Sequence, residues 1–156
     1  MKLHLGCGKR RFPGWINIDL HNSDHDCDIR KLPFDDDSTD EICSIHCVEH
    51  FYVTEIKNIL IEWRRVLKPG GKITLELPCL DKVLWHFQNG SPENFTLWPL
   101  YGDPRTHVDG EPALHKWCWS REQFRALLNS VGLNGVTEET PKFHQPTRDM
   151  RWVAIK

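Results

Sequence analysis

With 156 residues, a formal charge of −2 and a pI near 6.5, the chain can bury roughly two thirds of its unfolded surface in one core and is too short for a second. The charge balance gives no global electrostatic support to binding a nucleic-acid backbone. Cys7, Cys27, Cys43, Cys47, Cys79 and Cys118 are dispersed without a C-x-x-C pair, which reads as free thiols in a reducing, cytoplasmic compartment. No stretch approaches the roughly 20 apolar residues that cross a bilayer, and the N-terminus lacks a signal peptide's apolar segment.

In chain order, period-two alternation predicts strands over residues 2–5, 15–20, 27–29, 41–46 and 72–77. Between the last two, Ile56, Ile59, Leu60, Trp63 and Leu67 recur at helical spacing, and Pro69, Gly70 and Gly71 are expected to stop that helix. A second helix follows from the capping box of Ser120 and Gln123 and the stripe Phe124, Leu127, Leu128 and Val131 before Gly132. The tail, residues 135–140 and 148–155 around Pro141 and Pro146, reads as an antiparallel strand pair.

Strands followed by a helix and another strand imply a single α/β domain over residues 1–156 with a mainly parallel sheet. The links at 9–14 and 21–26 fall short of a helical crossover, which takes about a dozen residues. Leu3, Leu5, Ile16, Ile18, Ile73, Leu75 and Leu77 also alternate with His4, Asn17, Thr74 and Glu76, whereas parallel strands covered on both faces are apolar on both. One face is therefore expected to have reduced helical cover and to serve self-association, as a homo-oligomer, or contact with a partner protein. Residues 81–119 are expected to be irregular, their aromatic residues forming either a local core or a substrate wall and lid.

Gly6 and Gly8 stand where the first strand ends, which permits a tight turn and close approach of a ligand to the backbone. The run continues Lys9, Arg10, Arg11 instead of reaching the third glycine of a dinucleotide fingerprint, so a pyrophosphate cradle is unsupported. This basic run is either solvated or an anion contact. Asp19 closes the second strand, where a carboxylate accepts from both hydroxyls of a ribose or is simply a surface acid.

Taken together, L-H-L-G-C-G, P-G-W-I-N-I-D, D-I-R-K-L-P-F, V-E-H-F and E-W-R-R-V-L-K-P-G-G resemble the class I S-adenosylmethionine-dependent methyltransferases, in order from residue 2 to about residue 80. The chain is most similar to the small members with P-G-W-x-N-x-D and R-V-L-K-P-G-G. The resemblance implies a Rossmann-like fold and S-adenosylmethionine as cofactor. It further implies that Gly6, Cys7 and Gly8 run beside the methionine part, Asp19 holds the ribose, Asp28 and Ile29 flank the adenine, and His46 stands near the sulfonium. A cofactor without phosphates needs no third glycine. The helices that usually precede the first strand in this family are missing, which shifts substrate enclosure to residues 81–119 or to a partner.

His46, Glu49 and His50 spell H-x-x-E-H, the inverted zinc-peptidase signature in which a helix aligns two histidines on a metal. Some quinone-pathway and small-RNA methyltransferases carry E-x-x-E-H at the corresponding place and bind magnesium with it. Here His46 replaces the first glutamate, and imidazole favours transition metals, with His107 or His115 to complete such a site. The plainer reading is that Glu49 and His50 orient the loop after the fourth strand, and no metal is assigned. For a hydroxyl acceptor a base of near-neutral pKa is suitable, and His50 and His115 are the candidates for catalysis. The expected activity is O-methylation of a small molecule or a sugar unit. The alternatives are a cofactor-binding module that needs a partner for activity, and a metal-dependent hydrolase.

Overall fold

In the structure, a computed structural model that describes residues 1–108 and 111–156, the alternating runs pair into one sheet. Its strands are β1 (Lys2–Leu5), β2 (Ile16–Asp19), β3 (His25–Asp26), β4 (Thr39–Ile45), β5 (Leu67–Pro78), β8 (Asn134–Glu139) and β9 (Asp149–Ile155), while β6 (His107–Val108) and β7 (Glu111–Pro112) form a separate hairpin. The sheet is seven-stranded with order β3-β2-β1-β4-β5-β9-β8. Neighbours from β3 through β5 are parallel, and β9 runs antiparallel to both β5 and β8. This is the expected Rossmann-like α/β sheet with its antiparallel C-terminal pair. The links from β1 to β2 and from β2 to β3 contain no helix.

Three local expectations are corrected. The third strand is His25–Asp26, not residues 27–29, because Asp28 opens a turn: its carboxylate accepts from the Arg30 amide at 2.9 Å and its carbonyl from the Lys31 amide at 3.0 Å. Helix α1 (Ile56–Val66) ends before Pro69, and Leu67 is extended and pairs with Thr39 as the first residue of β5. Residues 81–119 are not irregular throughout, since α2 (Leu80–Gln88) and α3 (Trp98–Tyr101) lie at or within them. Helix α4 (Arg121–Ser130) carries the capping box read from Ser120 and Gln123.

Register explains the core. Leu3 pairs with Ile16 and with Ile42, Ile42 with Ile73, and Ile73 with Ala154, so these side chains share one face. Against them pack Ile56, Ile59, Leu60 and Trp63 of α1 and Phe124 and Leu128 of α4 in one apolar cluster. The other face presents His4, Asn17, Thr74, Glu76 and Arg151, all buried. It is closed by loops: the Phe12 ring stacks on His4 at 4.0 Å and on Phe143 at 5.2 Å. Glu76 accepts the amides of Lys142, Phe143 and His144 at 2.9 to 3.0 Å, and pairs with Arg151 at 3.1 Å. The reduced helical cover read from polarity is thus present, with loop cover in its place.

Candidate functional site

The carboxyl ends of β1, β2, β4 and β5 lie along one edge, and because β9 is antiparallel its first residue, Asp149, arrives at the same edge opposite Pro78. The chain leaves β1 toward β2 on one side and returns to β4 on the other. Such a reversal opens a crevice at the strand ends, where ligands of open α/β sheets bind.

At the β1 end the backbone requires glycine. Gly6 has φ +64°, and a Cβ there would stand 2.3 Å from Cys47 Sγ. Gly8 also has positive φ, 52°, with open space where a side chain would be. Its amide donates to Asp19 Oδ2 at 2.7 Å, and the Leu20 amide donates to Asp19 Oδ1 at 2.8 Å, so the carboxylate is fixed beside the glycine turn. The basic run is not simply solvated: Arg11 Nη1 lies 2.9 Å from Cys7 Sγ and the guanidinium also donates to the carbonyls of Gly8 and Asn22, while Arg10 lies over the Phe143 ring. Asp28 chelates Arg30. Ile29 is buried in the core cluster, and its carbonyl accepts from Trp63 Nε1 at 2.8 Å. Gly6, Cys7, Gly8 and Asp19 are therefore brought together, with Asp28 and Ile29 in the turn that follows β3.

At the β4 end His46 adopts φ +49°, a left-handed conformation that a non-glycine residue holds only under constraint. The constraint is ionic. Nδ1 of His46 lies 2.9 Å from Glu49 Oε1 and Nε2 lies 3.3 Å from Asp149 Oδ2. Burial pulls this imidazole's pKa down, but the two carboxylates outweigh burial and push it up to about 9, so it is cationic at neutral pH. Burial alone would raise Glu49, yet the surrounding imidazoles, His46 first, hold it down at about 2. His144, whose ring centroid is 4.0 Å from that of His46, is lowered to about 4 by burial and by the His46 charge.

Residues Val48–His50 form a single 3-10 turn, not the long helix that the peptidase signature needs. His46 and His50 consequently do not face one another across a helix. Instead Glu49 and His50 meet His115, whose ring is 4.9 Å from that of His50 and whose Nε2 is 4.0 Å from Glu49 Oε1. The amides of Lys116 and Trp117 donate to the Glu49 carbonyl at 2.7 and 3.3 Å, which fastens the two segments. Burial lowers the His115 pKa, leaving a neutral imidazole. His107 lies on β6 and is exposed.

His46, His50, His115 and His144 line a cleft of about 600 Å³ together with Trp98, Arg105, Phe143 and Arg148. Of the 81–119 stretch, Trp98, Arg105 and His115 are among the lining residues. Asp149, His144 and Arg148 belong to the site neighbourhood without any local signal in the sequence, being brought there by the return of β9.

Residues 3–75 match the family described as a methyltransferase domain. Together with the sheet order, this match supports a class I S-adenosylmethionine-dependent methyltransferase, with S-adenosylmethionine as the cofactor.

Among curated proteins, the lovastatin diketide synthase of Aspergillus terreus is 28% identical over 138 residues, covering 84% of this chain. The mitochondrial 2-methoxy-6-polyprenyl-1,4-benzoquinol methylase of Homo sapiens is 30% identical over 125 residues, covering 72%. The chain spans 5% of the former's length and 35% of the latter's. Two solved structures share the fold over 99% of this chain. The Burkholderia thailandensis 1,6-didemethyltoxoflavin-N1-methyltransferase, bound to 1,6-didemethyltoxoflavin and S-adenosylhomocysteine, has TM-score 0.68 at 15% identity and is covered to 70%. A methyltransferase in complex with the Haloferax volcanii Trm112 activator has TM-score 0.63 at 16% identity and is covered to 80%.

Proposed function

We propose that this chain, acting as one domain over residues 1–156, binds S-adenosylmethionine at the β1 to β4 strand ends and methylates a hydroxyl of a small molecule or sugar unit held in the histidine-lined cleft. The observation that carries this reading is the junction of two features at one sheet edge: a glycine turn bonded to Asp19, and a cleft of about 600 Å³ beside it. The residues fit the cofactor. Gly8 leaves open space against the backbone for its methionine part, Gly6 makes the turn that packs against Cys47, and Asp19 offers acceptors to a diol. Asp28 and Ile29 stand on the adenine side, and His46 closes the β4 end nearest the sulfonium.

When bound, the cofactor supplies a methyl group open to in-line displacement. The protein's part is to align the acceptor and exclude competing water, which accounts for several kcal/mol through proximity. Trp98, Arg105 and Phe143 position the acceptor, making residues 81–119 one wall of the cleft. The hydroxyl proton is handled at the histidine cluster, where Nε2 of His50 and of His115 are the acceptors. Six unbridged cysteines favour a reducing, cytoplasmic setting. Among the described residues no helix is long and apolar enough to cross a membrane.

A second reading, a module that binds cofactor but needs a partner protein to finish the acceptor pocket, is favoured by the loop-covered sheet face and by the fold shared with the activator-bound methyltransferase. Calorimetric titration of cofactor-stripped protein with S-adenosylmethionine tests both. Binding is expected in the wild type and at least about tenfold weaker in Asp19→Ala, given about 1.5–3 kcal/mol for hydrogen bonds to a charged group. Release of S-adenosylhomocysteine over a panel of hydroxylated acceptors supports the enzyme; binding without turnover supports the module. No binding by the wild type overturns both.

A further inference from the structure

We propose that Arg10 receives the carboxylate of the cofactor's methionine part, its guanidinium held ready on the Phe143 ring at the seam between the glycine turn and the cleft. The assignment rests on the cofactor site proposed above, in which Asp19 takes the ribose and the methionine carboxylate still lacks a cation.

The arginines that follow the turn differ in what they already hold. Arg11 is engaged: its guanidinium donates to the carbonyls of Gly8 and Asn22 and lies 2.9 Å from Cys7 Sγ, so it braces the turn from within. The Arg10 guanidinium, by contrast, has neither a carboxylate nor a carbonyl partner among the described residues. Its backbone is nevertheless tied to the turn, because the Arg10 amide donates to the Cys7 carbonyl at 2.9 Å. That places an unpaired cation two residues beyond Gly8 and the open space beside it.

Phe143 fixes where this cation stands. Arg10 lies over its ring, 5.2 Å from the centroid. The ring is itself held, by Phe12 at 5.2 Å and by Arg151 at 5.6 Å, and the Phe143 amide donates to Glu76 at 3.0 Å. Attraction to an aromatic face uses none of a guanidinium's N–H donors, which stay available for two parallel bonds to a carboxylate. Phe143 and His144 both line the cleft. His144, lowered to about 4 by burial and the His46 charge, is pushed down further by Arg10, so the Arg10 charge reaches the residue whose ring is 4.0 Å from that of His46. The guanidinium thus spans from the Gly8 turn toward the β4 end, the path that the methionine part takes in the proposed binding mode.

The other cations of the cleft are already neutralised. Arg105 is gripped by Asp103 at 2.7 and 2.9 Å, Arg148 by Asp149 at 2.8 and 2.9 Å, and His46 lies between Glu49 and Asp149. A carboxylate arriving at the seam therefore meets Arg10 without displacing an acid.

The test is calorimetric titration of the cofactor-stripped full chain with S-adenosylhomocysteine and with its decarboxylated analogue, which lacks only the carboxylate. The wild type is expected to bind S-adenosylhomocysteine about tenfold more tightly than the analogue, as for a hydrogen bond to a charged group. Arg10→Ala is expected to lose that preference while binding the analogue like the wild type, and Arg10→Lys to keep part of it, since a point charge cannot make the two-bond fork. Arg10→Gln, which keeps most of the stem, repeats the comparison if Arg10→Ala fails to fold. Removal of an equal charge from α1, in the exposed Lys57→Ala, should leave both affinities unchanged. Equal wild-type affinity for the two ligands, a preference that survives in Arg10→Ala or Arg10→Gln, or an equal loss for both ligands overturns the assignment and leaves the cofactor site standing. Failure of the wild type to bind either ligand removes the cofactor site, and this assignment with it.

Discussion

The two faces of the sheet are built by different physics. Under α1 and α4 the contacts are apolar and non-directional, centred on Trp63, Leu60 and Phe124. The opposite face is nearly as dry, yet it is held by directed polar bonds, among them Glu76 with three loop amides and Arg151, and Asn17 with the amide of Phe12. The difference shows how strands can dispense with crossover helices. A short loop covers a sheet face if buried polar groups on that face hold the loop's own backbone amides.

Substitutions on each face sharpen the contrast. The largest effect is expected from Trp63→Ala, which opens a cavity in the helix-covered core and removes the bond to the Ile29 carbonyl; a loss of about 3–5 kcal/mol in denaturant unfolding is predicted. Glu76→Ala comes next, at about 3 kcal/mol. It strips three amides and one guanidinium of their acceptor, but Arg151 retains Glu139 at 3.3 Å, which places the cost at the low end for a broken buried pair. Equal losses in both variants are compatible with the contrast only if Glu76→Ala also speeds amide exchange at Lys142, Phe143 and His144 and Trp63→Ala does not.

Acid gives the smallest effect and the cleanest separation. Burial lowers the pKa of His4 from 6.5, with Arg10 and Arg11 adding to it against the Asn17 bond and the Asp19 charge. The unfolded chain therefore binds this proton more readily than the folded one, so the contribution is present above about pH 6.5 and is lost as pH falls toward the folded value. In His4→Phe, which preserves the stack on Phe12, the slope of stability against pH below 6.5 is expected to flatten. An unchanged slope would place the acid sensitivity elsewhere, with His115 and His144 next in line because both are also lowered.

Much of this contrast was legible in the sequence because alternation has a period of two and the polar members of β1, β2 and β5 could be named before their neighbours were known. Helix α2 was not legible. Leu84, Trp85 and Phe87 face solvent while Val83 and His86 are buried, so no apolar stripe marks it, and its N-cap, Cys79, makes no side-chain cap. Leu67 misled in the opposite sense, fitting the period of α1 while its backbone was already extended. Within the site, Gly6, Gly8 and Asp19 are close in sequence and therefore form a readable motif. The meeting of Glu49 with His115, or of His46 with Asp149, depends on how distant segments return to the sheet edge, and no local pattern records that.

The strand order also sets a schedule for assembly. Leu3 meets Ile16 and Ile18 meets His25 after very short loops, whereas Lys72 must wait for Ile155. Closing a short loop costs less entropy than closing a long one, so pairing β1, β2 and β3 costs less chain entropy than pairing β5 with β9. Until residues 149–155 are made, β5 remains an open strand edge with Leu75 and Leu77 on its apolar side. That interval is when the growing chain is most exposed to pairing with a neighbour, and a chaperone that shields β5 would act there.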